Sequence, residues 1–297
     1  LTVLRNEAFT KRMISKHNLK IINPKKYINQ YDILPQIFTN EINFKGFYIV
    51  NNNELKNQVV KFINLIKDIE KLQKTNKLYK IWVQDGFSGN PYILHDKREM
   101  IELYQIHDLL EVTEQGIQEF GKKYGKNNGD KITEIHFNNM FKTHNIMLFF
   151  MPLIFNITQK LNYNNFTIAN VKYYKILPGG KDQQLHCDGT FDTSEGDNIY
   201  LIYSLKDTTI DMGGTNFYLN HKLNDKYKNI NPNNEDSKCI GFIESLKDKE
   251  MFYNAEYKSL LKKGELSVHL HNTIHKGCGN SSNVDREFIF FLIRAYK

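Results

Sequence analysis

Residues 184–188 read Gln-Leu-His-Cys-Asp, and the rest of the chain reads as a frame around this stretch. His186 and Asp188 stand two positions apart. Along a β-strand, positions i and i+2 share a face. An extended 183–188 segment therefore presents an imidazole and a carboxylate to one point in space. Cys187 lies between them and faces away, which argues against thiol chemistry there. With 10 histidines in the chain, His-x-Asp by itself is a weak signal, and its weight comes from its surroundings.

From Phe166 onward, short β-rich runs follow one another at 166–177, 183–188, 198–205, 214–219, 238–243, 264–271 and 286–296. Turn signals separate them, notably Pro178-Gly-Gly180 and Gly213-Gly214. Many short strands at this spacing predict a sandwich or barrel. A jelly roll of two facing sheets is one of the few ways to arrange them. Gly264 to His271 predicts a strand, and His275 follows it after a short turn. Arg286 opens a very apolar last strand, with 276–285 as the hairpin between. The 222–263 insert is polar and Asn-rich, then helical over 244–261. It reads as a surface excursion, with a lid over the site as its functional alternative.

The amino-terminal half carries a different pattern. A short helix is predicted at 5–17, followed by Pro- and Asn-punctuated loop. Leu55, Val59, Phe62, Ile63, Ile66 and Ile69 recur at helical spacing, so 54–74 predicts an amphipathic helix. The 78–83 run, with Trp82, predicts a strand, and 86–91 a turn. Helices are predicted at 97–110 and 113–124, with an exposed loop at 126–130. The apolar 137–161 segment predicts a buried helix, kinked or split near Pro152. The chain thus divides into a helix-rich support region, 1–165, and a β core, 166–297, integrated as one domain.

Composition bounds the classes of function. The 297 residues are 40% hydrophobic and 25% charged, as in an ordinary soluble globular protein. The net charge of +7 comes from lysines scattered along the chain. Nucleic-acid footprints cluster their charge, so a nucleic-acid partner is disfavoured. Cys187, Cys239 and Cys278 are too few for a disulfide framework. That suits a reducing, cytoplasmic compartment. The most apolar run, 146–155, is too short to span a bilayer.

His186, Asp188 and His275 suggest a metal site. Two neutral imidazoles and one carboxylate on one face of an ion leave the opposite positions open, as in non-haem Fe(II) oxygenases. Arg286 adds a planar fork that holds a carboxylate through two parallel charge-assisted bonds, which lysine cannot do. Only five arginines occur in the chain, so one at this place is informative. Two rivals use the same residues. His269-x-His271 with His275 would make a cupin-like or zinc site, but leaves His-x-Asp and Arg286 unexplained. Alternatively, the histidines are satisfied core residues of a binding protein.

The chain resembles the Fe(II)- and 2-oxoglutarate-dependent dioxygenases, and within them the phytanoyl-CoA dioxygenase-like group. The matching pieces are Gln184-Leu-His-Cys-Asp188, Ile202-Tyr-Ser-Leu-Lys-Asp207, Gly213-Gly-Thr-Asn-Phe217 to Lys222, and Gly264 through His275-Lys-Gly to Arg286. Tyr173-Tyr-Lys-Ile-Leu-Pro-Gly-Gly180 also resembles the prolyl-hydroxylase branch. The resemblance implies a double-stranded β-helix, Fe(II) on His186, Asp188 and His275, and Arg286 on the distal carboxylate of 2-oxoglutarate. Tyr174 reads either as a further contact to that co-substrate or as a structural tyrosine. It further implies consumption of O2, release of succinate and CO2, stimulation by ascorbate and hydroxylation of an unactivated C–H bond. A small molecule is the first expectation for the substrate, a protein side chain the second and a nucleobase the third.

Overall fold

The computed structural model describes residues 34–84, 92–105, 111–188, 196–228 and 246–297. The expected helix at 5–17, turn at 86–91 and strand at 238–243 lie outside them. Helix α1 (Phe38–Lys45) leads into strand β1 (Phe47–Val50). Helix α2 (Asn53–Thr75) follows, started by the Asn52 side chain, which accepts from the Glu54 amide at 2.7 Å. The predicted stripe holds: Leu55, Val59, Phe62, Ile66 and Ile69 are all buried.

Three local expectations are corrected in the next stretch. Residues 78–83 are not a strand but lie in helix α3 (Lys77–Gln84). Residues 97–110 do not begin a helix. Strands β2 (Tyr92–His95) and β3 (Arg98–Gln105) form a hairpin, with His95 opposite Arg98. The two turn residues, Asp96 and Lys97, have φ of 46° and 60°. Such a left-handed pair matches the twist of the flanking strands. After α4 (Glu111–Tyr124), the supposed loop at 126–130 opens helix α5 (Lys126–Lys160), which runs on through Pro152. Gly129 is there because the helices cross closely: a Cβ on it would lie 3.0 Å from the Gly121 Cα.

The carboxyl-terminal half is strand-rich, as expected. It contains β4 (Asn165–Ile176), β5 (Gly196–Ser204), β6 (Thr215–Tyr218), α6 (Asp225–Lys228), α7 (Leu246–Ala255), β7 (Glu256–Ser259), β8 (Leu266–Leu270), β9 (His275–Gly277) and β10 (Arg286–Tyr296). The helix expected over 244–261 ends at Ala255, and β7 then pairs with β6 and satisfies its backbone there. Residues 183–188 are not a strand. His186 makes a single antiparallel bridge to His275, with amide–carbonyl distances of 3.0 and 2.8 Å.

Seven strands form the larger sheet in the order β1-β8-β5-β10-β4-β3-β2, and three form the smaller, β7-β6-β9. Every pairing is antiparallel. The amino-terminal region is thus more than helical support, since β1, β2 and β3 all join the larger sheet. Alternation on β10 separates two environments. Ile289, Phe291, Ile293 and Ala295 are buried in the main core with Phe62, Phe150 and Tyr203 of the helix side and β5. Arg286, Phe288, Phe290 and Leu292 face the other way, toward the smaller sheet. The two sheets meet where Phe47 stacks on Phe217 at 4.5 Å. This is a mostly β, double-stranded β-helix core with helices packed on one face.

Candidate active site

The bridge between His186 and His275 fixes the site. It joins the loop after β4 to β9 and brings both imidazoles beside Asp188. Among the described residues, His186, Asp188 and His275 form a group in which one ligand atom from each lies within 4.8 Å of the others. His186 Nε2 is 3.9 Å from Asp188 Oδ1, and His275 Nε2 is 3.6 Å from Asp188 Oδ2. The other ring nitrogens have backbone partners. His186 Nδ1 lies 2.7 Å from the Gln184 carbonyl and His275 Nδ1 lies 3.0 Å from the Thr273 carbonyl. A carbonyl only accepts, so both rings carry their proton on Nδ1. Both Nε2 lone pairs are then turned to the space beside Asp188, as metal-ligating histidines require.

The electrostatics agree with the geometry. Burial pushes the His186 ring below its ordinary pKa, and His275 pushes it further. Burial does the same to His275. Both imidazoles are therefore neutral near pH 7. Burial alone would raise the Asp188 pKa, but His275, His269 and His186 outweigh it and hold the carboxyl well below its usual range. Two neutral donors and one ionised carboxylate make a set suited to a divalent ion.

Arg286 opens β10 and is 5% exposed. Its Nη1 donates to the Gly214 carbonyl at 2.9 Å, while its buried Nε has no partner. Gly214 itself has no room for a side chain, since a Cβ there would lie 2.2 Å from the Ser259 carbonyl oxygen. Burial, then the charge of Arg98, lower the Arg286 pKa to about 10, so it stays protonated at neutral pH. Arg98 was hidden in the supposed helix at 97–110. It pairs with Ile176 on β4, and Ile176 pairs with Arg286 on β10, so the two arginines share one row across three strands. Arg98 donates to the carbonyls of Lys181 and Gly277. Burial lowers its pKa as well. Two guanidiniums in one row repel, and the arrangement suits an anion between them. Tyr174 stands two residues along β4 from Ile176, stacked on Phe288 at 5.1 Å, and the Arg286 guanidinium sits 5.6 Å from the same Phe288 ring.

The rival histidine trio is not brought together as a set. His271 Nδ1 turns to Asp197 at 3.4 Å. His269 instead lies against Asp188, with Nε2 3.4 Å from Oδ2, although the strand reading gave no hint of that contact.

Solved structures share this architecture. A non-haem α-ketoglutarate-dependent carbocyclase, SnoK from nogalamycin biosynthesis, is 10% identical, with a TM-score of 0.52 over 88% of this chain and 84% of that one. The epimerase SnoN, solved with Fe3+ and α-ketoglutarate, is 11% identical, with a TM-score of 0.50 over 88% and 84%. EctD from S. alaskensis is 11% identical, with a TM-score of 0.50 over 90% and 79%. The fold is that of the non-haem α-ketoglutarate-dependent enzymes. α-Ketoglutarate is the 2-oxoglutarate that the sequence resemblance implies. No protein-family model and no curated protein matches the chain. At this identity the likeness describes the fold, and the chemistry has to be argued from the chain's own residues.

Proposed function

We propose that the protein is an Fe(II)- and 2-oxoglutarate-dependent oxygenase acting on a small molecule. The observation that carries this reading is the convergence of His186, Asp188 and His275 with both Nε2 lone pairs aimed at one point. The donor set fits Fe(II): two imidazoles, one carboxylate and room for further ligands. Bound iron, with 2-oxoglutarate and O2, would supply the oxidising chemistry, and ascorbate would keep it reduced.

The protein's own part is binding, orientation and exclusion of water. Arg286 offers the distal carboxylate of 2-oxoglutarate its unsatisfied Nε and a buried charge. Arg98 adds a second cation in the same row. Gly214 and Gly277 hold the two forks in place through their carbonyls. Phe288 and Tyr174 stack on each other beside the Arg286 guanidinium. The order of Gly264, His275 and Arg286 favours the phytanoyl-like group. SnoK is described as a carbocyclase and SnoN as an epimerase, so this fold hosts more than one reaction. Hydroxylation is our proposal for this chain. Among the described residues no helix is long and apolar enough to cross a membrane.

Anaerobic calorimetry tests the reading directly. The wild type should bind Mn(II), and His186→Ala should not. The Mn(II)-loaded protein should bind 2-oxoglutarate. Arg286→Lys, which keeps the charge and loses the fork, should bind it more weakly by about 1.5–3 kcal/mol, the worth of a hydrogen bond to a charged group. Metal uptake unaffected by His186→Ala, or equal 2-oxoglutarate affinity in Arg286→Lys, would remove the corresponding residue from the site.

A further inference from the structure

His269 is buried with no exposure, one residue from the end of β8. Its ring stacks on Tyr200 at 5.1 Å and tilts against Phe217 at 5.2 Å. A phenylalanine would fill such an aromatic slot without the expense of burying two nitrogens. The nitrogens therefore need a reason. Nε2 lies 3.4 Å from Asp188 Oδ2, and Nδ1 is buried with no partner.

The contrast with the two neighbouring rings is informative. His186 and His275 each place Nδ1 against a backbone carbonyl, which fixes the proton there and frees Nε2. His269 has no such carbonyl at Nδ1. Its proton belongs on Nε2, where the Asp188 carboxylate accepts it. The same imidazole chemistry is thus used in two opposite tautomers around one carboxylate.

We infer that His269 is not a ligand but a positioning residue, which ties down Asp188 Oδ2 and leaves Oδ1 for the ion. This rests on the reading of His186, Asp188 and His275 as a metal site. A carboxylate free to rotate can take an ion through both oxygens, and each extra contact removes a position that a co-substrate needs. A donor on Oδ2 restrains that rotation and keeps Asp188 to a single metal contact. It also explains why His269 stands so near the site without joining it, and why the rival trio with His271 does not form.

The test compares Mn(II) binding by wild type, His269→Phe and His269→Gln. His269→Phe keeps the ring packing and loses the donor. His269→Gln restores an N–H near the position of Nε2. Loss of such a supporting partner commonly weakens metal binding by about 10- to 100-fold. That loss is expected for His269→Phe, with substantial recovery in His269→Gln. Equal affinity in wild type and His269→Phe overturns the inference, as does a His269→Gln variant no better than His269→Phe. Should His269→Phe fail to fold, the imidazole nitrogens of the Zn(II)-loaded wild type still decide by 15N NMR. Protonated Nε2 with bare Nδ1 is expected at His269, while protonated Nδ1 or direct zinc contact overturns the inference. A wild type that binds no metal defeats the site itself. A wild type that binds through His186, with His269→Phe its equal, defeats only the role of His269.

Discussion

Burial takes the Arg286 guanidinium out of water and returns one carbonyl, leaving Nε unmatched. An ion left so short of partners destabilises the ligand-free fold. Arg286→Met is therefore expected to make the ligand-free protein more stable by about 1–3 kcal/mol, the cost of a buried polar group without a partner. It should also abolish stabilisation by 2-oxoglutarate. Thermal unfolding with and without the co-substrate checks both, and a variant less stable than wild type would show that Arg286 holds the sheets together instead. The same distinction decides which residues could be read in advance. His186, Asp188, His275 and Arg286 stand in recognisable local patterns; ligand atoms of the first three come within 4.8 Å of one another, and Arg286 is buried at the start of β10. Arg98 was invisible because its place depends on pairing with β4, more than 70 positions away. His269 entered only the rival trio, because sequence records that an imidazole is present but not where its proton sits.

At the level of elements, α2 is fastened to the larger sheet by charge as well as by its apolar stripe. Glu70 on α2 meets Lys175 on β4 at 2.9 Å and Lys74 at 2.7 Å, and Lys74 reaches Glu99 on β3 at 3.0 Å. Burial would raise the Glu70 pKa, but hydrogen bonds from Lys74 and Lys175 overcome it, and the net shift is downward. A carboxyl with a depressed folded-state pKa stabilises fully above its unfolded value, near 4.5, and the contribution is lost as pH falls through the folded value. Glu70→Gln should cost about 1 kcal/mol at pH 7, modest because the network is partly solvated. Urea midpoints of variant and wild type should then converge toward pH 3. Which elements were legible follows the same physics. The α2 stripe and β4, β5, β6, β8 and β10 were readable because one buried face imposes a period on the sequence. The β2–β3 hairpin was not, because Asp96 and Lys97 turn the chain without a glycine to announce it. Residues 183–188 suggested a strand, yet one bridge at His186 suffices to aim the pair.

In the molecule as a whole, the support region and the β core share one sheet. β3 pairs with β4, β1 pairs with β8, and helices α2 and α5 cover the core face of β10. A chain cut to residues 166–297 would expose that face and leave two strand edges open. It is expected to aggregate and to lack cooperative unfolding, which gel filtration and circular dichroism would reveal. A soluble, cooperatively folding fragment would make 1–165 a true accessory. Strand β10 shows what this sharing demands. Its odd positions, Ile289 to Ala295, are buried in the core under the helices, and its even positions, Arg286 to Leu292, face the smaller sheet. Reading frame, in the sense of a loom, is what both tasks have in common. One residue inserted after Phe288 would shift the pairing by one and send Phe290 toward the helices and Ile289 toward the smaller sheet. Substitutions at the even positions can change the face toward the smaller sheet while the core stays untouched. Length changes in this strand can be tolerated only in pairs.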